Sequence, residues 1–502
     1  MQWPRITDHQ PGADTGQPAD RYADHATRNR VPSKFRMLSW AFATTGSLAI
    51  LTGCFVEQPF PMRSSDYVRV RHNATAKPMS NRQWLVATHE KLQHLLPRHK
   101  APPLLTDDLT DDQRRPVDVM KHFDRDPERL QSVFFNYWGL ESSAQSAGSF
   151  FNEKNPHKCW SGFEEVRIPI SDRLKTIGWL GLARDGDKIR NSDCIVILTG
   201  LFGHNGVQRT RDISKALLAA GYHVLAYENR GYGLTDLHYP DVPYTWGVLT
   251  TCDLMMVSDW LEAKPYIRHT GLAGYCWSAN QALLVAWYEN CPPDHVSITP
   301  KMAEYLTPLP ERRRFRAGII AISPTLRFEE LIDKLDVPRK FLIDPAFRSL
   351  QLIVEHRMKR KGYPEFSGSL RKLIEFETLR SEVDYPDAIP DGLRFLRFLP
   401  YKGKPAGDKL EHARMPVLIL HASDDPMATA QEVADFIAEC DNRNVAAQML
   451  YGGGHLGNAR YSRPYYFSMI MNFFDPVYGA AAMSAPATTT ILTARPLESH
   501  AQ

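Results

Sequence analysis

Apolar positions along this chain follow two periods. From Ser80 to Leu96 they fall at Trp84, Leu85, Leu92 and Leu95, one side of a helix, with Ser80 as its cap and Pro97 beyond its end. Asp126-Pro127 starts a second helix, whose apolar face is Leu130, Val133, Phe134, Tyr137 and Trp138. Beyond Gly162 the pattern changes. Residues 164–170 and 176–183 alternate like a β-hairpin. Residues 194–198 (CIVIL) are a short, fully apolar run, as expected of a strand in a central parallel sheet, and 223–230 (HVLAYENR), 316–323 (RAGIIAIS), 417–420 and 445–450 read as further strands. Helical patterns lie between them: one ends at Ala220 before Gly221, and another spans 250–264 with Leu254, Met255, Val257, Trp260 and Leu261 apolar. The alternation predicts an α/β protein with a mostly parallel, doubly wound sheet.

The remaining segments divide the chain. Residues 1–36 are polar and read as a disordered leader. Residues 37–54 follow Lys34-Phe35-Arg36 with an apolar run and end in Leu51-Thr52-Gly53-Cys54, a basic region, a hydrophobic region and a small-residue cleavage site. This ending resembles the bacterial lipobox. The resemblance implies an acylated Cys54 as membrane anchor and an envelope lipoprotein facing the periplasm or exterior. Residues 55–161 read as a helical N-terminal region, 162–323 and 413–475 as two parts of one core, 324–412 as an insertion, and 476–502 as a disordered tail. The net charge of +3 gives no reason to expect a nucleic-acid partner. The seven cysteines form no C-x-x-C pair, so no metal or cofactor is expected. Nothing in the sequence fixes the oligomeric state.

The chemistry centres on residues 272–290, a strand, a sharp turn and a helix. The turn Gly274-Tyr275-Cys276-Trp277-Ser278 resembles the G-x-S-x-G nucleophile elbow with cysteine at its centre. The helix would aim its first N–H groups at that side chain and favour a thiolate. Gly200-Leu201 follows a central strand, where one backbone N–H of an oxyanion hole belongs; the other would come from Trp277. His204 is expected at the surface without a role. The segment 229–233 is expected to shape the edge of the site without reacting. Asp425, in His421-Ala422-Ser423-Asp424-Asp425-Pro426, stands beyond a late strand and is preferred to Asp424 as the acid. His455, among glycines after the last strand, completes the order nucleophile, acid, histidine.

From 194 to 474 the chain resembles the YheT-like, embryogenesis-associated branch of the α/β-hydrolase superfamily. The corresponding segments are TGLFG from Thr199, GYCWSAN from Gly274, HASDDP from His421 and GGHLG from Gly453. The resemblance implies an α/β-hydrolase fold with a helical cap over the site, a triad of Cys276, Asp425 and His455, and oxyanion donors at Leu201 and Trp277. This chain departs from the branch by its cysteine nucleophile, by Thr199 and by Ser278-Ala279. The expected function is hydrolysis of an ester or thioester of an apolar acyl group, with a small acyl ester or lipid as partner. The alternatives are an acyltransferase using the same thiolate and a catalytically silent binding lipoprotein.

Overall fold

A computed structural model describes residues 67–70, 79–96, 103–104, 158–290, 314–338, 345–380, 410, 413–423, 425, 427–440, 442–450, 455–456 and 463–475. The chain divides into two compact units, Met1–Gln58 and Pro59–Gln502, and every described residue lies in the second. The leader, the apolar segment ending at Cys54, the helix expected at Asp126 and the tail beyond residue 475 lie outside the described residues.

Eleven strands are described: β1 (Pro103–Leu104), β2 (Glu164–Ser171), β3 (Leu174–Gly181), β4 (Arg184–Asp185), β5 (Lys188–Ile189), β6 (Ser192–Leu198), β7 (His223–Glu228), β8 (Ile267–Tyr275), β9 (Ile319–Ile322), β10 (Val417–Ala422) and β11 (Val445–Leu450). Nine form one sheet in the order β1-β11-β10-β9-β8-β6-β7-β3-β2, and β4 and β5 form a small hairpin. The pairings from β7 through β6, β8, β9 and β10 to β11 are all parallel. β2, β3 and β1 join antiparallel at the two ends. Every residue of β6, β7, β9, β10 and β11 is buried, as the continuous apolar runs require. The edge strand β2 alternates in its second half, with Ile168 and Ile170 inward.

The order of these strands locates the crevice. The chain leaves β6 for β7 on one side and then returns to place β8 on the other. Such a reversal opens a cleft at the carboxyl ends of the two strands on either side of it. β6 and β8 end in register, Leu198 opposite Gly274, so the loops after both start side by side.

Helices cover both faces. On one lie α4 (Val248–Glu262), α5 (Trp277–Tyr288) and α9 (Ala430–Glu439); on the other lie α1 (Asn81–Leu95), α2 (Gln208–Ala219) and α10 (Arg463–Phe473). Alternation along β6 sends Val196 to the first core and Ile195 and Ile197 to the second. Each such buried side chain contributes about 1.5–3 kcal/mol relative to leaving it in water. All twelve residues of α5 are buried, which fixes the helix carrying the elbow.

The N-terminal region departs from expectation in two places. α1 has the Ser80 cap, in a reciprocal box with Gln83, but Leu95 is exposed instead of joining the apolar face. Asn81 Nδ2 donates to Val417 O at 2.7 Å and Asn444 O at 2.9 Å, and Arg82 Nε to Val445 O at 3.0 Å, pinning α1 to the start of β10 and β11. The region also supplies the edge strand β1, which an all-helical reading omits.

Within 324–412 the structure describes α6 (Phe328–Asp336), α7 (Pro345–Arg360) and α8 (Leu370–Arg380). They meet a short helix of the core, α3 (Gly233–His238), through buried charges. Arg357 Nε donates to Glu377 Oε1 at 2.7 Å, and its Nη1 to the Gly231 carbonyl at 2.7 Å. Lys361 and Arg360 both pair with Asp236. Burial and the neighbouring Arg357 pull the Lys361 ammonium down to about 7, even though Glu377 opposes them. Desolvation at this density of charge offsets much of the pairing energy, so the contact fixes geometry more than it stabilises.

Candidate active site

Cys276 sits between the last residue of β8 and the first of α5, with φ 55° and ψ −123°. A non-glycine residue held there costs about 1–3 kcal/mol, and such strain collects at functional sites. Phe202, Trp246 and Ser323 also have positive φ. The small residue required at 274 has a direct cause: a Cβ on Gly274 would lie 2.1 Å from the Ser278 carbonyl oxygen. Around the turn, the Cys276 N–H donates to Ile322 O at 2.9 Å. Asn280 clamps the loop after β9, donating from Nδ2 to Thr325 O at 2.6 Å and accepting the Thr325 N–H at 2.8 Å.

The loop after β6 passes over the elbow. A Cβ on Gly200 would be 3.5 Å from Cys276 Cβ. The backbone N–H groups of Leu201 and Trp277 both favour the charged form of the Cys276 sulfur. Thus backbone from two strand ends acts on the nucleophile position.

From the far side, His455 Nδ1 lies 2.8 Å from Asp425 Oδ2, with both side chains wholly buried. Asp425 Oδ1 accepts the N–H groups of Met427 at 2.9 Å and Ala428 at 3.1 Å. His421 Nε2 lies 3.8 Å from Asp425 Oδ2 and 2.8 Å from the Ala428 carbonyl. With Nδ1 on the carboxylate, the buried His455 Nε2 has no hydrogen-bond partner among the described residues, and the charge of Cys276 is among those that act on the ring. Asp425 therefore meets His455; Asp424 and Gly452 to Gly454 lie outside the described residues.

Charge completes the picture. Burial would raise the Cys276 thiol, but the His455 charge and hydrogen bond, with the Trp277 and Leu201 N–H groups, hold it below the ordinary 9.0. Burial would lower His455, yet the charges of Asp425 and Cys276 raise it to about 10. Asp425 resists its own burial through His455 and stays below the usual carboxylate value. The two shifts are coupled, because the charge of each group acts on the other. Cys159, Cys194 and Cys252 shift the opposite way, raised chiefly by burial.

Aromatic rings line the nucleophile side. Trp277 packs on Phe328 of α6 with centroids 4.1 Å apart, and on Trp246 at 5.9 Å. Trp277 Nε1 donates to the Tyr244 hydroxyl, which also takes Gln281 Nε2 at 2.7 Å. His204, expected at the surface, is buried, with its Nδ1 accepting the Gly206 N–H at 3.0 Å. The neighbouring Asn205 N–H and the Leu234 N–H hold the buried Glu228 carboxylate, which burial raises to about 7. Tyr244, Phe328 and Arg357 escape a sequence reading because each comes from a different segment, distant in the chain from the elbow. The glycine-rich frame of Tyr232 did give a local signal. Among the described residues no group of side chains is arranged to hold a metal ion.

Comparison with known proteins agrees with this architecture. The Alpha/beta hydrolase family profile matches residues 196–464, more than half of the 502-residue chain. The chain belongs to the α/β-hydrolase family. Its core has that family's mostly parallel sheet, and its class is hydrolase. A search of curated proteins found no match. Among solved structures, the chain is similar to an esterase of Pyrococcus furiosus at 15% identity, covering 64% of this chain and 98% of that one with a TM-score of 0.38. It is also similar to Est1E of Butyrivibrio proteoclasticus at 14% identity, 62% and 96% coverage and a TM-score of 0.35. A third, 2,6-dihydroxy-pseudo-oxynicotine hydrolase, gives 14% identity, 65% and 70% coverage and a TM-score of 0.39.

Proposed function

We propose that this α/β-hydrolase cleaves ester or thioester bonds of apolar acyl groups through a covalent acyl-thioester on Cys276. The observation that carries the proposal is a buried thiol lowered by a histidine that is itself held by a buried carboxylate. The thiolate adds to the carbonyl carbon, and the π electron pair moves to oxygen, where the Leu201 and Trp277 N–H groups receive it. As the carbonyl re-forms, His455 gives its proton to the departing alcohol or thiol. Water then attacks the thioester, His455 takes its proton, and the thiolate leaves. Asp425 keeps the imidazole oriented and balances its charge throughout. The rings of Phe202, Trp246, Trp277 and Phe328 around the elbow support an apolar acyl group. The test is intact-protein mass after brief exposure to a panel of acyl esters. A mass increase equal to the acyl group, mapped to Cys276 and reversed by hydroxylamine, is expected; no adduct with any ester, in a folded protein, sinks the proposal.

We also infer that the protein works at a membrane surface, tethered through Cys54, because Leu51-Thr52-Gly53-Cys54 follows a basic flank and an apolar run. Cys54 lies outside the described residues, and no described helix is long and apolar enough to cross a membrane. A bacterial host fed labelled palmitate should label the full chain, and Cys54→Ala should abolish the label. Label retained by that variant would count against the anchor.

A further inference from the structure

We propose that Glu228 is a positioning residue that holds the loop after β6, and with it the Leu201 N–H, against Cys276; the role rests on the thiolate mechanism above. Glu228 is the last residue of β7 and is wholly buried. A buried carboxylate ordinarily meets a cation. This one meets backbone instead: Oε1 accepts the Asn205 N–H at 2.8 Å and Oε2 the Leu234 N–H at 2.5 Å. Each oxygen thus ties down a different stretch of chain, one after β6 and one after β7. The space is shaped for a carboxyl group, since a Cβ on Gly233 would lie 2.5 Å from both of its oxygens. Asn205 is held a second time, its Nδ2 donating at 2.9 Å to the carbonyl of Ala226 on the same strand. The Leu234 side is fixed as well. Thr235 Oγ1 donates to the Glu228 carbonyl at 3.0 Å and accepts the Ile177 N–H of β3 at 2.9 Å.

The course of the loop carries this tie to the nucleophile. β6 ends at Leu198 and α2 begins at Gln208, so residues 199–207 bridge them. The near end touches the elbow, where a Cβ on Gly200 would be 3.5 Å from Cys276 Cβ. The Gly203 N–H then closes a turn on the Gly200 carbonyl at 2.9 Å, with Phe202 inside it at φ 52°. Such a backbone persists only while its surroundings impose it. Leu201 lies in the same turn, so the direction of its N–H depends on where the turn is held. Asn205 follows closely, and its N–H on Glu228 fixes the far end. The Phe202 ring, 4.6 Å from Arg357 Cζ and 5.9 Å from the Trp246 ring, holds the middle. Loss of the Glu228 tie should therefore displace the donor without releasing the loop. Glu228 exchanges no proton with the substrate; it acts only through the backbone.

The test is Glu228→Gln in the full chain, an exchange of nearly equal size that leaves one acceptor oxygen for two N–H donors. Burial raises the native carboxyl to about 7, so the assays belong well above that value, where it is ionised. With nitrophenyl butyrate, kcat should fall on the order of tenfold to a hundredfold with KM little changed. Affinity for an alkyl trifluoromethyl ketone, which forms a thiohemiketal oxyanion, should fall by a similar factor. Iodoacetamide alkylation of Cys276 displaces iodide and forms no oxyanion, and His455, the strongest influence lowering the thiol, is untouched. Its rate should change by about threefold at most. Amide hydrogen exchange should quicken across residues 199–207 but not in β8 or α5. A thermal melt checks that the variant is folded at the assay temperature. Should it not fold, Glu228→Asp, which keeps the charge and both oxygens but sets them back by one carbon, takes its place with the same readouts. Native kcat in the folded variant overturns the role, as does a loss of alkylation equal to the loss of turnover. Failure of both variants to fold marks Glu228 as a support of the whole fold and overturns it too. If the native protein forms no acyl adduct, the thiolate mechanism and the role fall together; a native adduct beside an unaffected variant removes only Glu228.

Discussion

Cys276→Ala should fold as the native protein does and lose its turnover of a nitrophenyl ester entirely. Removing the nucleophile from a working triad lowers kcat by about 10⁶-fold, to the background left by binding and the oxyanion donors. Folding should survive, because alanine fills most of the cysteine's space; a thermal melt checks this. Cys276→Ser is the more telling variant. In the proposed mechanism the site rests as a charged pair: His455 is raised to about 10 partly by the Cys276 charge, and the strongest influence lowering Cys276 is His455. A serine hydroxyl cannot supply that charge near neutral pH, so the base must remove its proton during attack. The serine variant should therefore lose most of the activity despite matching the usual residue of the resembling branch. A serine variant faster than the native protein would mean that the cysteine is not the evolved catalyst, and that the site is a weakened esterase used for binding.

His455→Ala should abolish turnover and shift the thiol. In the native protein the Cys276 thiol is lowered, so iodoacetamide should alkylate it at a nearly constant rate from alkaline pH down past 9.0, slowing only when acid protonates the pair. Turnover also needs the imidazolium proton for the leaving group, so its alkaline limb should lie near the raised value of about 10. Without His455, burial is the largest remaining influence, and it raises the thiol. The midpoint of alkylation should then move above 9.0, where unperturbed thiols titrate. Asp425→Asn should keep the packing but remove the charge that raises His455, lowering kcat by about 10⁴-fold. Unchanged alkylation at neutral pH in His455→Ala would separate the thiol from the imidazole and defeat the ion-pair account.

The sequence alone determined the alternation of strands and helices, because burying a parallel sheet on both faces leaves continuous apolar runs such as 194–198 and 417–420. It also marked the sharp turn of the elbow, since Gly274 stands where a Cβ would crowd the Ser278 backbone. From chain order it could place Cys276, Asp425 and His455 each after a strand. Separation along the chain, however, says nothing of distance: the 2.8 Å contact of His455 with Asp425 depends on β10 and β11 lying adjacent and parallel. The strand reversal around β6 brings the loop at Gly200 beside Cys276. Only tertiary structure could bury His204, add β1 to the sheet edge and set Arg357 of α7 against Phe202. None of these carries a local pattern, because each contact joins elements whose own periodicity is already explained by the core. The direction of the Cys276 shift is likewise a tertiary property. The same thiol with burial alone would titrate upward, as Cys194 and Cys252 do; the imidazole and two converging N–H groups reverse the sign.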